Sequence, residues 1–132
     1  MRRQFNLPEE DMEFLAAMPL PWETVIEGNS KRVVLRNFPV PSGYNQPEVD
    51  LNVMIEATYP DTQIDMVYFF PPLARTDGRP INAANNLDIF DGKSWQRWSR
   101  HRTPQNPWRP GVDNLSTHIA LVDDWLRREL TK

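Results

Sequence analysis

His101 is the side chain of this sequence best suited to acid–base or nucleophilic work. It stands in the run Lys93-Ser94-Trp95-Gln96-Arg97-Trp98-Ser99-Arg100-His101-Arg102, where guanidinium groups flank an imidazole on both sides. Imidazole is the one side chain that ordinarily changes charge near neutral pH. Positive neighbours disfavour its protonated form, so the ring is expected to be neutral and able to accept a proton. Arg97 and Arg100 are then candidates to stabilise a developing oxyanion, with Ser99 as a secondary nucleophile that lacks a defined base. From 93 to 109 the chain carries five Lys/Arg and no Asp/Glu, although the whole protein is acidic. Such a patch reads in two ways. It is an anion or carboxylate site, or it is a rim of arginines whose stems cover tryptophans. Trp95, Trp98, Trp108 and Arg102, together with the Pro71-Pro72 loop, are the anchors expected to meet a partner, because aromatic and arginine side chains dominate interfaces.

Other chemistries fall away. His118, the second of two histidines, adjoins a helical apolar row and reads as structural unless the fold brings it to His101. Two histidines without cysteine argue against a zinc site, although His101, His118 and Asp113 can be imagined as ligands. The five glycines are scattered, so no phosphate loop exists and no cofactor is expected. Asp123-Asp124 lies on the solvent side of the last helix and forms no glycosidase-like pair. A net charge of -3 argues against a nucleic-acid partner. No apolar run reaches the ~20 residues of a membrane span. The N-terminus, Met1-Arg2-Arg3-Gln4-Phe5-Asn6, lacks the apolar stretch of a signal peptide, so a cytoplasmic protein is expected. Zero cysteines remove disulfides, thiolate metal sites and thiol nucleophiles together.

The elements that must hold these residues are divided by 13 prolines, which are excluded from helix interiors and central strands. Pro8 followed by Glu9, Glu10 and Asp11 starts a short helix that ends before Pro19. Trp22–Ile26 and Arg32–Phe38 read as strands joined by a Glu27-Gly28-Asn29-Ser30 turn. Val49–Thr58 alternates with period two, and Ile64–Phe70 is apolar enough to be central. Residues 71–110 show little regular periodicity and are read as a long irregular, functional stretch. Leu115, Ile119, Val122, Leu126 and Leu130 then recur at helical spacing, predicting a helix over 114–130 with Asp113 as its N-cap. The expectation is one α+β domain over 1–132: helix, four-stranded antiparallel meander, irregular stretch, helix.

This arrangement, with Tyr59-Pro60 before the last strand, Pro71-Pro72 after it, and Trp108-Arg109-Pro110-Gly111-Val112-Asp113-Asn114-Leu115 leading into a helix, resembles the ubiquitin-conjugating (UBC) fold. Three stretches are similar to its bacterial branch called prokaryotic ubiquitin-conjugating-enzyme-like family E. They are Leu7-Pro8-Glu9-Glu10-Asp11, the Phe90-Asp91-Gly92…Trp95-Gln96-Arg97-Trp98-Ser99-Arg100-His101 run, and Trp108 through Leu126. The resemblance implies work in a bacterial ubiquitin-like conjugation system. Its partners would be a ubiquitin-like modifier, an adenylating activating enzyme and a JAB-type metallopeptidase, often encoded together in defence-type operons.

Conjugating members of that superfamily carry the modifier on a cysteine roughly eight residues before the tryptophan. Counting back from Trp108 reaches Arg100, beside His101, and the His-Pro-Asn element that usually precedes the cysteine is missing; Asn82, Asn85 and Asn86 are possible substitutes. Two mechanisms follow. His101 carries the modifier as an acyl-imidazole, or the domain binds the modifier without a covalent step, as cysteine-free members of the superfamily do. Unrelated to either is a non-catalytic module that recognises an acidic peptide or anionic ligand through the Arg/Trp patch.

Overall fold

The computed structural model describes all 132 residues and is α+β: two helices and one curled antiparallel sheet of six strands. Helix α1, Glu9–Ala17, starts after Pro8 with three acids in its first turn, where the helix dipole favours negative charge. The strands are β1 (Trp22–Glu27), β2 (Ser30–Pro39), β3 (Glu48–Ile55), β4 (Val67–Phe70), β5 (Asn86–Phe90) and β6 (Lys93–Trp98). Helix α2, Leu115–Glu129, closes the chain. No helix is long and apolar enough to cross a membrane.

The sheet order is β1-β2-β3-β4-β6-β5. Its first four strands form the expected meander, with Glu27 pairing Ser30 across a Gly28-Asn29 turn. The expectation of four strands followed by an irregular stretch is corrected here. Residues 86–98 form a second hairpin, and β6 returns to pair with β4. The hairpin is built on Asp91-Gly92, whose φ values of 54° and 72° suit the tight turn that matches strand twist. Asn86-Leu87-Asp88-Ile89-Phe90 does alternate, but polar residues and the surrounding Asn, Gly and Pro residues conceal the period.

One face of the sheet carries the main core. Leu35, Leu51, Phe69 and Trp98 meet Leu115, Val122 and Leu126 of α2, all of them fully buried. Phe69 stands edge-on to Trp98 at 5.4 Å. The other face holds a smaller cluster of Val25, Val34, Tyr68, Phe90 and Trp95. There the Arg32 guanidinium lies over the rings of Tyr68 and Phe90, at 4.7 and 4.6 Å, and meets Asp88 at 2.7 Å. A buried cation is tolerable only when paired, and Asp88 supplies the pair.

Asp113 is not the N-cap of α2. Asn114 takes that place: its side chain accepts from the Thr117 N–H at 3.2 Å, while Thr117 Oγ1 accepts from the Asn114 N–H at 3.0 Å. Asp113 is buried one residue earlier and accepts from the Arg109 N–H at 2.8 Å. Buried Asp11 joins the helices, accepting from the Tyr59 hydroxyl at 2.6 Å and the Leu115 N–H at 3.1 Å. Burial raises the Asp11 carboxyl above its usual range and raises the Tyr59 hydroxyl as well.

Candidate functional site

The chain leaves the sheet after Trp98. Ser99 N–H donates to Ala83 O at 3.0 Å, and Arg100 O accepts from Met66 N–H at 3.2 Å, so the backbone on either side of β4 and β6 is fixed where His101 emerges. The His101 side chain is 61% exposed, and its Nδ1 lies 2.9 Å from Asp65 Oδ1. A carboxylate only accepts, so Nδ1 of the neutral ring is the donor and Nε2 carries the lone pair. His101 borders a groove of about 280 Å³. Thr103, Gln105 and Asn106 form one wall, and Leu121, Trp125 and Arg128 of α2 form the other. An imidazole bordering a groove, with one nitrogen held by a carboxylate and the other unengaged, can act in its neutral form as a general base or as a nucleophile.

Sequence reasoning found His101 and missed Asp65, which lies 36 residues earlier. The signal, read in retrospect, is a single carboxylate breaking the apolar run Ile64–Phe70 just ahead of the strand.

The neighbouring cations do not gather around His101. Arg100 donates to Glu129 Oε1 at 3.0 Å and to Asn82 O at 2.8 Å, with its guanidinium 4.9 Å from the Trp98 ring. Glu129 is 2% exposed and also lies 3.9 Å from Arg75. The Arg102 side chain is 7% exposed, 3.4 Å from Asp113 and 5.1 Å from the Trp108 ring. Arg97 stands in the β6 ladder between Tyr68 and Asn86, its Nε buried without a partner. Arg100 and Arg102 are therefore structural ties, and the basic run is no open anion cradle. The Ser99 hydroxyl donates to Met66 Sδ at 3.9 Å and meets no base.

The expected partner anchors scatter too. Trp95 and Trp98 are fully buried and offer no surface to a partner. Their indole N–H groups donate to Phe90 O at 2.9 Å and Gln96 Oε1 at 3.0 Å. Trp108 is half-buried and donates to Pro60 O at 2.9 Å. Pro71 and Pro72 follow the last residue of β4, whereas Asp65 precedes its first, so that loop and His101 lie at opposite ends of the strand.

His118 is fully buried and donates from Nε2 to Met66 O at 2.9 Å. Burial, reinforced by the charge of Arg102, pushes its pKa down to about 4. Its ring stands edge-on to Trp125 at 5.5 Å. The histidines thus hold consecutive residues, His101 at Asp65 and His118 at Met66, without bonding each other. No group of three or more His, Cys, Asp or Glu side chains is placed to hold a metal ion.

In comparison with known families, the model described as prokaryotic E2 family E matches residues 7–129. No curated protein and no solved structure matches the chain.

Proposed function

The chain belongs to prokaryotic E2 family E, and from that premise we propose that it serves a bacterial ubiquitin-like conjugation pathway with His101 as acyl acceptor. The observation that carries this reading is the Asp65–His101 pair at the rim of a groove, in a chain without cysteine. A ubiquitin-like modifier would arrive activated at its C-terminal carboxyl, as an acyl adenylate or a thioester on an adenylating activating enzyme. Nε2 of His101 attacks that carbonyl carbon, a C–N bond forms, and adenylate or thiolate leaves. The acyl-imidazole is cationic, and Asp65 stabilises it through the Nδ1 proton. An amine on the acceptor then attacks the same carbon, loses its proton to solvent, and restores the neutral imidazole.

The 61% exposure of His101 favours a second reading. An acyl-imidazole open to water hydrolyses quickly, and a partner would have to cover it during transfer. A chain that only docks the modifier at this groove has no such requirement. The acidic-ligand module is the weaker alternative, because Arg100 and Arg102 already satisfy Glu129 and Asp113.

Mixing the protein with its cognate activating enzyme, modifier and ATP, then measuring intact mass, decides between them. The acyl-carrier reading expects a hydroxylamine-sensitive adduct that maps to His101 and disappears in His101→Ala. Modifier binding without any adduct would overturn it in favour of docking.

A further inference from the structure

The two edges of the sheet are treated differently. Along β1 the chain covers its own edge: Gln4 N–H donates to Thr24 O at 2.9 Å, Thr24 N–H to Arg2 O at 3.1 Å, and Ile26 N–H to Gln4 Oε1 at 2.7 Å. The opposite edge, β5, has no strand on its outer side. Leu87 and Ile89 there are 60% and 70% exposed. The Phe90–Lys93 pair closes a two-residue turn and is therefore hydrogen-bonded, and bonded pairs alternate along an antiparallel ladder. Leu87–Gln96 and Ile89–Ser94 fall on the non-bonded positions, which turns the N–H and C=O of Leu87 and Ile89 outward, away from the sheet. Free backbone groups beside exposed apolar side chains, with no lysine or proline on the strand, make a template for another strand.

We propose that β5 pairs antiparallel with β5 of a second copy of this chain, about a two-fold axis at Leu87, so that the two sheets continue into one another. Outward-facing groups repeat every second residue, at 89 and at 87, and one further step of the same alternation reaches Asn85 just before the strand. Centring on Leu87 sets it against the partner's Leu87, exchanging two backbone hydrogen bonds, and sets Ile89 against the partner's Asn85. On the other side of the strand Asp88 then faces the partner's Asn86, whose amide can donate to the carboxylate. Centring on Asp88 would instead oppose two carboxylates, a destabilising pair. The strand is thus complementary to itself in the Leu87-centred register, which favours a second copy over an unrelated strand. None of this depends on His101, and either proposal can fail alone.

Sedimentation of the full chain from about 1 to 500 μM tests the pairing. A concentration-dependent shift toward twice the 15.5 kDa chain mass is expected. Ile89→Lys should weaken that association at least about tenfold, since it places a charge on a pairing edge. Leu87→Cys gives a second reading that survives misfolding of the first variant. The chain has no other cysteine, and bonded antiparallel partners stand about 5.5 Å apart at Cα, within disulfide reach. Mild oxidation should link Leu87→Cys into a dimer, while Ile26→Cys on the covered edge stays monomeric. A chain that remains monomeric throughout overturns the proposal. So does a dimer that Ile89→Lys leaves intact and Leu87→Cys does not cross-link.

Discussion

The two histidines hold consecutive residues of one backbone segment and are opposite in every other respect. His118 lies in the core with its Nε2 proton spent on Met66 O. His101 stands outside with Nδ1 on the Asp65 carboxylate and Nε2 unengaged at a groove. The difference lies in the acceptor. A backbone carbonyl fixes a ring without favouring its charged form enough to overcome burial, so His118 stays neutral and structural. A carboxylate fixes the ring and also stabilises a positive charge that arrives during chemistry. Under the proposed function, identical residue types divide into brace and reagent, and each is open to a separate attack.

The largest effect should come from His101→Ala. If His101 accepts the modifier, adduct formation falls to background while thermal stability changes by less than about 0.5 kcal/mol, as for an exposed site. A variant that keeps adduct formation would remove His101 from the reagent role. The matching change in the brace, His118→Ala, should do the reverse in kind. It opens a cavity and leaves Met66 O without its buried donor, which costs about 3 kcal/mol in chemical denaturation. Asp65→Asn comes next. The asparagine amide can donate to Nδ1, which moves the ring proton to Nε2 and removes the lone pair there. Transfer should drop about 100-fold with the fold unaffected; an unchanged rate would show that Asp65 only tethers the loop.

How much of this was legible in the sequence depends on the range of the interaction. The first hairpin, the alternation of β3 and the apolar row of α2 are local patterns, and they appear in the structure within a few residues of where the spacing puts them. The β5–β6 hairpin is just as local, but its polar alternation sits among Asn, Gly and Pro residues that also mark loops, and the loop signal prevailed. Asp113 and Asn114 are both good caps, and only the Thr117 hydroxyl, reaching back to the Asn114 N–H, selects between them. His101 was legible as a residue type in an unusual run. Asp65 was not, because nothing near it in sequence signals a partner 36 positions on. The arginines misled for the same reason: Glu129 and Asp113, which neutralise Arg100 and Arg102, lie outside the acid-free run.

The smallest and most specific effect is in pH. His118 binds a proton near 6.5 in the unfolded chain and only near 4 in the folded one, because the buried ring has no room for a hydrated charge. Below about pH 6.5 the unfolded state therefore holds the extra proton, and stability falls as pH drops until the folded ring is protonated as well. Urea unfolding followed by tryptophan fluorescence should lose about 2 kcal/mol between pH 7 and 4.5 through this residue. Asp11 opposes the trend. Its raised folded pKa means that the native state takes up that proton first, and folding gains from it as pH falls. Glu23 acts in a lower window, since hydrogen bonding from Arg2 holds it down to about 2 and its contribution disappears only below the ordinary carboxylate range. His118→Gln, which keeps an amide donor for Met66 O, should flatten the profile between pH 6.5 and 4.5 whatever it does to stability at pH 7. An unaltered profile in that variant would mean that His118 is not the buried neutral brace, and the contrast with His101 would fail with it.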